Sequence, residues 1–379
     1  MAGYIVSLKS FEGLRDCFKD GTYGTVLSNP KKSWLAPHEG TFADYATMKP
    51  GDNVFFFRER KIYGIGELVQ VGGHCRYLNY PGASNSRSQN YASIRSSLLW
   101  NNGPQAARER WICVFRPSPK FLRIGVDMDD VLSSNPAAFR MLRAFWRLSF
   151  IKCDDDENQA LKDIILKRNF ERSDGPDTFE TQYEREHLRI GALASGGNYQ
   201  LDAGDLMTAC AKGDQLKHEM TIEAGLLFQL AAVDGETTDV FGQWDYLSHQ
   251  VVASPFKPLQ WVDKMDVFGY ATLPSSPRTR VTYLVCEVKK GKAMNHEVDQ
   301  LMKYVDWVKD EYCHGDYSMI RAFLVAYSFP KPIVQHKDVV AKRIYTVGRR
   351  PANSATWNAV TLVRYRFEAA TRKLRFERV

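Results

Sequence analysis

Several metal and redox chemistries are missing from this sequence. Its seven cysteines include no C-x-x-C pair, and its eight histidines show no H-x-x-x-H or H-E-x-x-H spacing. These absences exclude the usual zinc motifs, and the odd cysteine count reads as reduced, buried thiols rather than a disulfide framework. No apolar run reaches the ~18 residues that a membrane-spanning helix needs. The opening "MAGYIVSLKSFEG" has the pattern of a strand and turn, not of a signal peptide, which predicts a cytoplasmic location. No internal repeat with a period of about 20–50 residues is visible. Any metal is left to carboxylates, which suit a hard divalent cation such as Mg²⁺.

What is present describes a globular chain. At 379 residues, 44% apolar and 25% charged, it is long enough for two or three domains with substantial cores. The net charge of +7 is unevenly spread: from Lys331 onward twelve Lys and Arg face three acids, so the remainder is slightly negative. A basic segment on a near-neutral body is the electrostatic footprint of a polyanion binder, against which stands the plainer reading of an Arg-rich solvated strand face. Lys342, Arg343, Arg349 and Arg350 are the phosphate-contact candidates there, with Lys290 and Lys292 nearer the middle of the chain.

Residues 1–168 read as a first domain. Tyr4–Leu8, Asn53–Arg58 and Ile62–Val71 have strand patterns, and "RWICVFRPSPKFL" holds another. "SFIKCDDDENQALKDIILKR" reads as a strand feeding a helix whose acidic start suits the helix dipole. "SSNPAAFRMLRAFW" predicts a helix capped by Ser134 or Asn135, with Pro136 in its first turn. "YLNYPGASNSRSQNYAS" predicts a long loop. Residues 169–215 read as a linker with short helices, and residues 216–379 as a second domain.

The start "YIVSL", the centre "KPGDNVFFFRERKIYGIGELV" and the ending "SFIKCDDDENQALKDI" together resemble the EVE domain, a member of the PUA-like group that includes YTH modules. The resemblance covers most of residues 1–168. It implies a small curved β-sheet with helices that reads a modified base in an aromatic-lined pocket. Trp34, Tyr77, Tyr80 and Trp100 are then the pocket candidates, with core aromatics as the competing reading of each.

In "TYLVCEVKK" the side chains alternate, so Val285, Glu287 and Lys289 share one face and Leu284, Cys286 and Val288 the other. The preceding "WVDKMDVFGYATL" pairs with it as an antiparallel hairpin, and a turn centred between Ser276 and Pro277 sets Asp266 opposite Glu287. Two facing carboxylates repel unless a cation lies between them. A slip of one residue would send Asp266 to the other face, so everything hangs on the register. The next helix buries Val298, Leu301, Met302, Val305 and Val308, with Gln300 and Tyr304 on its flank. Upstream, "LKHEMTIEAGLLFQLA" predicts a helix with Glu219 and Glu223 one turn apart, where a glutamate either completes a metal site or simply supports its helix.

Asp266, then "EVK" at Glu287–Lys289, then "QLMKY" at Gln300–Tyr304, after a glutamate-bearing helix, resemble the PD-(D/E)xK nuclease superfamily in its RecB-like and NucS-like branch. The resemblance covers about residues 216–330 and implies an α/β nuclease core, making the whole chain α+β. It implies that Asp266, Glu287 and Glu223 hold Mg²⁺, for which Mn²⁺ substitutes, that Lys289 orients or activates water, and that Gln300 and Tyr304 position the site. No proline precedes Asp266, which leaves Asp263 as a rival ligand; "IEAGLL" favours Glu223 over Glu219. The expected function is a Mg²⁺-dependent DNA endonuclease that restricts base-modified foreign DNA. Its partner is double-stranded DNA, with no membrane, and a homodimer suits the cutting of two strands. The alternatives are a structure-specific repair nuclease of the NucS-like kind and a non-catalytic reader of modified nucleic acid.

Overall fold

A computed structural model describes residues 1–28, 34–87, 89–140, 150–172, 179–253 and 263–379. It is a mixed α/β structure in two units, Met1–Asp202 and Ala203–Val379. Among the described residues no helix is long and apolar enough to cross a membrane. All seven cysteines are buried free thiols.

In chain order, unit 1 holds β1 (Gly3–Ser7), α1 (Phe11–Asp20), β2 (Thr22–Val26), α2 (Ala36–Ala46), β3 (Asn53–Arg58), β4 (Lys61–Leu68), β5 (Arg76–Leu78) and α3 (Tyr91–Ile94). β6 (Glu109–Ser118), β7 (Val126–Asp127), α4 (Met128–Ser134), β8 (Phe150–Cys153), α5 (Asp155–Asn169) and α6 (Tyr183–Ala194) complete it. The main sheet runs β2-β6-β4-β3-β1-β8, with β5 on β6 and β7 on β4; β1 and β3 are parallel and the other pairs antiparallel. The long β6 changes partners along its length, pairing β2 and β5 over its first half and β4 over its second, which curls the sheet. Ile5, Phe55, Ile62, Leu161 and Ile165 bury the face that α5 covers. The acidic start of α5 is a capping box: Asp154 accepts the N–H groups of Asp156 and Glu157, and Glu157 accepts that of Asp154.

The helix expected from Ser134 onward lies earlier. Asp127 caps α4, and Ser134 is its last residue. Pro136 disfavours helical geometry in the residue before it, and Asn135 accordingly leaves the helix at φ −151°. Residues 141–146 of that expected helix lie outside the described residues.

Unit 2 begins with α7 (Gly204–Cys210) and the short hairpin β9 (Ala211–Lys212)–β10 (Gln215–Leu216), residues that read in the sequence as linker. α8 (Glu219–Ala231), α9 (Gly235–Phe241), β11 (Tyr246–Val252), β12 (Lys264–Leu273), β13 (Ser276–Lys292), α10 (Asn295–Glu311), β14 (Ile320–Ser328) and α11 (Lys331–Val340) follow. β15 (Arg343–Val347) and β16 (Asn353–Trp357) form a separate ribbon, and β17 (Val360–Glu368) and β18 (Lys373–Arg378) end the chain described. The sheet order is β11-β12-β13-β14-β17-β18, with β13–β14 and β14–β17 parallel and the rest antiparallel. α8 is apolar almost all round and buried accordingly. α10 buries Val298, Leu301, Met302, Val305 and Val308 along one stripe.

The β12–β13 hairpin reaches its register by an unexpected route. Leu273 pairs with Ser276, so the turn is Pro274–Ser275, not Ser276–Pro277. Two register shifts, between Ala271 and Leu273, then lengthen β13 relative to β12. From Ala271↔Thr282 to Val267↔Cys286 the pairing is regular, and one further step sets Asp266 level with Glu287.

Gly269, in the middle of β12, lets β11 approach, because an added Cβ would lie 2.6 Å from the carbonyl oxygen of Tyr246. That oxygen is backbone and cannot swing away. Gly269→Ala is expected to lower unfolding free energy by about 1–3 kcal/mol, measured by urea denaturation; an unchanged midpoint would show that β11 yields freely.

Candidate active site

Three neighbouring strands place a row of polar residues on one line. Gln250 on β11 lies opposite Asp266, between the pairs His249↔Val267 and Val251↔Met265, and Asp266 is level with Glu287 on β13. Glu287 is level with Leu324 on β14, where the row turns apolar. α8 adds Glu223, which is 2% exposed. Lys289, two residues beyond Glu287, shares its face.

The contacts are specific. Asp266 Oδ2 accepts the backbone N–H of Val288 at 2.8 Å, just past the end of the regular ladder. The Gln250 amide nitrogen donates to Asp266 Oδ1 at 3.2 Å and to Glu223 Oε2 at 3.1 Å. Glu287 Oε1 lies 2.7 Å from the Lys289 ammonium, while Oε2 is buried with no partner among the described residues. Glu219 Oε2 is 3.8 Å from the Lys289 ammonium, and its Oε1 accepts the N–H of Lys290 at 3.3 Å. On α10 the Gln300 amide donates to the Tyr304 hydroxyl at 2.6 Å, leaving that hydroxyl its own proton to donate.

Burial and mutual repulsion raise all three inner carboxyls. Glu223 is pushed well above the ordinary carboxyl range by burial and then by Asp266. Burial likewise lifts Glu287, with Asp266 adding to the shift, and burial lifts Asp266 against the opposing hydrogen bond from Val288. For Lys289, burial works against the charge, but Glu287, Asp266 and Glu219 outweigh it and hold the ammonium above its usual range. Burial, then Glu287, raises the Tyr304 phenol, which keeps it neutral.

The structure therefore brings together Asp266, Glu287, Lys289, Glu223 and Glu219, with Tyr304 close enough to feel Glu287 and Asp266. Of the two glutamates on α8, Glu223 shares the Gln250 amide with Asp266, and Glu219 faces Lys289. Asp263 precedes β12; its backbone carbonyl accepts the N–H of Ala253 at 2.8 Å, and its charge reaches the Tyr304 phenol. Gln250 was not singled out from the sequence; a lone glutamine in "YLSHQVV" carries no motif, and only the β11–β12 pairing shows where it stands.

The donor set fits a hard divalent cation, since Glu223, Asp266 and Glu287 all offer carboxylate oxygen and one of those oxygens, Glu287 Oε2, is buried and unpaired among the described residues. Glu223, Asp266 and Glu287 are the residues that would hold the ion.

The remaining candidates lie elsewhere. Trp34, Tyr77, Tyr80 and Trp100 are all buried in unit 1. Trp34 donates to Ser84 O at 2.9 Å and packs on Trp111, with the Arg110 guanidinium 5.5 Å from its ring centre. Tyr77 donates to His74 O, Tyr80 to Ala107 O and Trp100 to the Asp20 carboxylate, so the polar atoms of all four are engaged. Arg343 makes a two-pronged bond to Asp306, 2.8 Å on each side, which commits it to the fold. Much of the C-terminal charge is similarly spent: Arg364 on Glu377, Arg366 on Asp214, Arg372 on Asp205 and Lys373 on Asp234. Lys342, Arg349 and Arg350 are exposed on the β15–β16 ribbon, and no ion pair among the described residues engages them. That ribbon is rooted where Trp357 donates to Ile320 O, at the far end of β14 from Lys289. Lys290 and Lys292 are exposed at the end of β13, beside the acids.

No protein-family model matches the chain, and no curated protein does. Among solved structures, a repair endonuclease from Pyrococcus abyssi is 25% identical over 29% of this chain and 41% of its own, with a TM-score of 0.19. The match thus spans less than half of that protein, and nothing below rests on it.

Glu223 gives a pH test with a definite sign. Its folded pKa exceeds its unfolded one, so the folded, metal-free protein keeps a proton that the unfolded chain gives up. Its contribution is fully present below the unfolded value and is lost as pH rises toward the folded one. Glu223→Gln is expected to leave stability at pH 4 unchanged and to raise it at pH 8, in chelator, by about 1–3 kcal/mol. Urea denaturation at both pH values checks this; equal midpoints at pH 8 would show that Glu223 is not strained.

Proposed function

We propose that unit 2 is a divalent-cation-dependent phosphodiesterase of the PD-(D/E)xK type, acting as a DNA endonuclease. One observation carries the proposal: Asp266, Glu287 and Lys289 meet across β12 and β13, with one Glu287 oxygen on the ammonium and the other buried and unpaired among the described residues. Carboxylates this costly to bury are explained by a charge they are built to hold.

The chemistry a bound Mg²⁺ or Mn²⁺ supplies is polarisation of the phosphate and a more acidic water. Glu223, Asp266 and Glu287 would hold that ion. In the metal-free protein Glu287, Asp266 and Glu219 hold the Lys289 ammonium protonated; beside a bound ion it would donate hydrogen bonds, orienting the attacking water and countering negative charge that grows on the phosphate. Glu219 keeps the ammonium turned toward Glu287. Tyr304, neutral and tethered to Gln300, is a donor that orients and does not titrate in the working range. Lys290 and Lys292 flank the acids and offer phosphate contacts, and the exposed ribbon charges Lys342, Arg349 and Arg350 offer a second, more distant grip. The likeness of unit 1 to base-reading modules extends the proposal to base-modified DNA as the target, and hence to restriction.

Digestion of unmodified and modified-cytosine plasmid DNA with Mg²⁺ or Mn²⁺ tests cutter and reader together. Asp266→Asn, Glu287→Gln and Lys289→Ala are each expected to lower cleavage by about 100-fold or more, with DNA binding in gel shifts retained. Wild-type rates in all three would refute the site, and nicking of both DNAs at equal rates would refute modification dependence. Arg349→Glu with Arg350→Glu is expected to weaken binding and flatten its salt dependence by about two counterions, read from affinity against salt concentration; an unchanged slope would remove the ribbon from the interface.

A further inference from the structure

Gln250 combines three features that do not normally coincide. It is a non-glycine residue at φ +53° inside a strand, a conformation that L side chains avoid. It stands in the row with Asp266 and Glu287. Its one amide nitrogen donates to two carboxylates from different elements, Glu223 on α8 and Asp266 on β12. Carboxylates that ligate a cation are ionised and only accept hydrogen bonds, so in that state only the –NH₂ end of the amide can face both. Backbone strain kept at a half-buried position beside buried acids indicates that the direction of this side chain is what the fold preserves.

We infer that Gln250 is a positioning residue for the divalent cation, holding Glu223 and Asp266 toward a common point so that the two can take one ion. The inference rests on the reading of these acids as a metal centre. Among the described residues, the amide is the hydrogen-bonding group that joins Glu223 to Asp266, and without it the two carboxyls are free to turn apart. A cation then has to gather them at the expense of its own affinity. With the amide in place, part of that ordering is done beforehand, as outer partners of metal ligands do elsewhere.

The test is isothermal titration of the full-length chain with Mn²⁺ alone, alongside metal-free melting curves, for wild type, Gln250→Gly and Gln250→Leu. Glycine accepts φ +53° without strain, so Gln250→Gly loses the donor while relieving the backbone; Gln250→Leu loses the donor and keeps the strain. The expected result is Mn²⁺ affinity about tenfold lower in both variants, with the melting temperature of Gln250→Gly no lower than wild type. Wild-type or tighter affinity in both variants would overturn the positioning role while leaving the metal centre standing. So would weaker binding matched in both by a fall in melting temperature, since that marks a purely structural residue. A wild-type protein that binds no Mn²⁺ would overturn the metal centre and this inference with it.

Discussion

Repulsion among carboxylates that the fold holds in one buried place is the constraint on which unit 2 depends. Glu223, Asp266 and Glu287 come from a helix and two strands; burial makes each costlier to ionise, Asp266 adds to the cost for Glu223 and Glu287, and Glu219 adds to that for Asp266. Such an arrangement lowers stability unless something offsets it. Here the offsets are few: the Lys289 ammonium on one oxygen of Glu287, the Val288 N–H on Asp266, and the Gln250 amide between Asp266 and Glu223. One oxygen is left with none. A fold that carries this much uncompensated negative potential at one point is shaped to receive positive charge there.

The surrounding architecture makes the clustering possible. Parallel pairing of β13 with β14 and β14 with β17 buries the middle of the sheet, so the apolar rows on either side hold the strands in register. α8 lies on this sheet with almost no polar surface, which fixes the depth of Glu223, and its first turn leaves Glu219 half-exposed near Lys289. Gly269 lets β11 approach β12 closely, and the strained Gln250 stands in the row with the acids.

How much of this could be read beforehand varied with the kind of signal. Asp266 and Glu287 were placed level by assuming a turn at Ser276–Pro277; the turn lies at Pro274–Ser275, and the register shifts beside it restore the same pairing. The side-chain alternation of β13 and the stripe of α10 were legible because periodicity survives errors in loops. Charge counts were misleading, since a sum over sequence cannot show that Arg343 is locked to Asp306 or Arg366 to Asp214. Aromatic residues were ambiguous for a related reason: Trp34 and Tyr80 carry the same letters whether they line a pocket or, as in unit 1, a core around Arg110. Gln250 was invisible, because its meaning lies wholly in a cross-strand partner and a backbone angle.

The most direct measurement is anomalous diffraction from crystals grown with Mn²⁺. An anomalous peak is predicted at the end of the β12–β13 ladder, bound by oxygens of Asp266 and Glu287, with Lys289 beside it and Glu223 drawn toward it. Crystals that diffract well and show no peak there, with the Lys289 ammonium still on Glu287, would contradict the account.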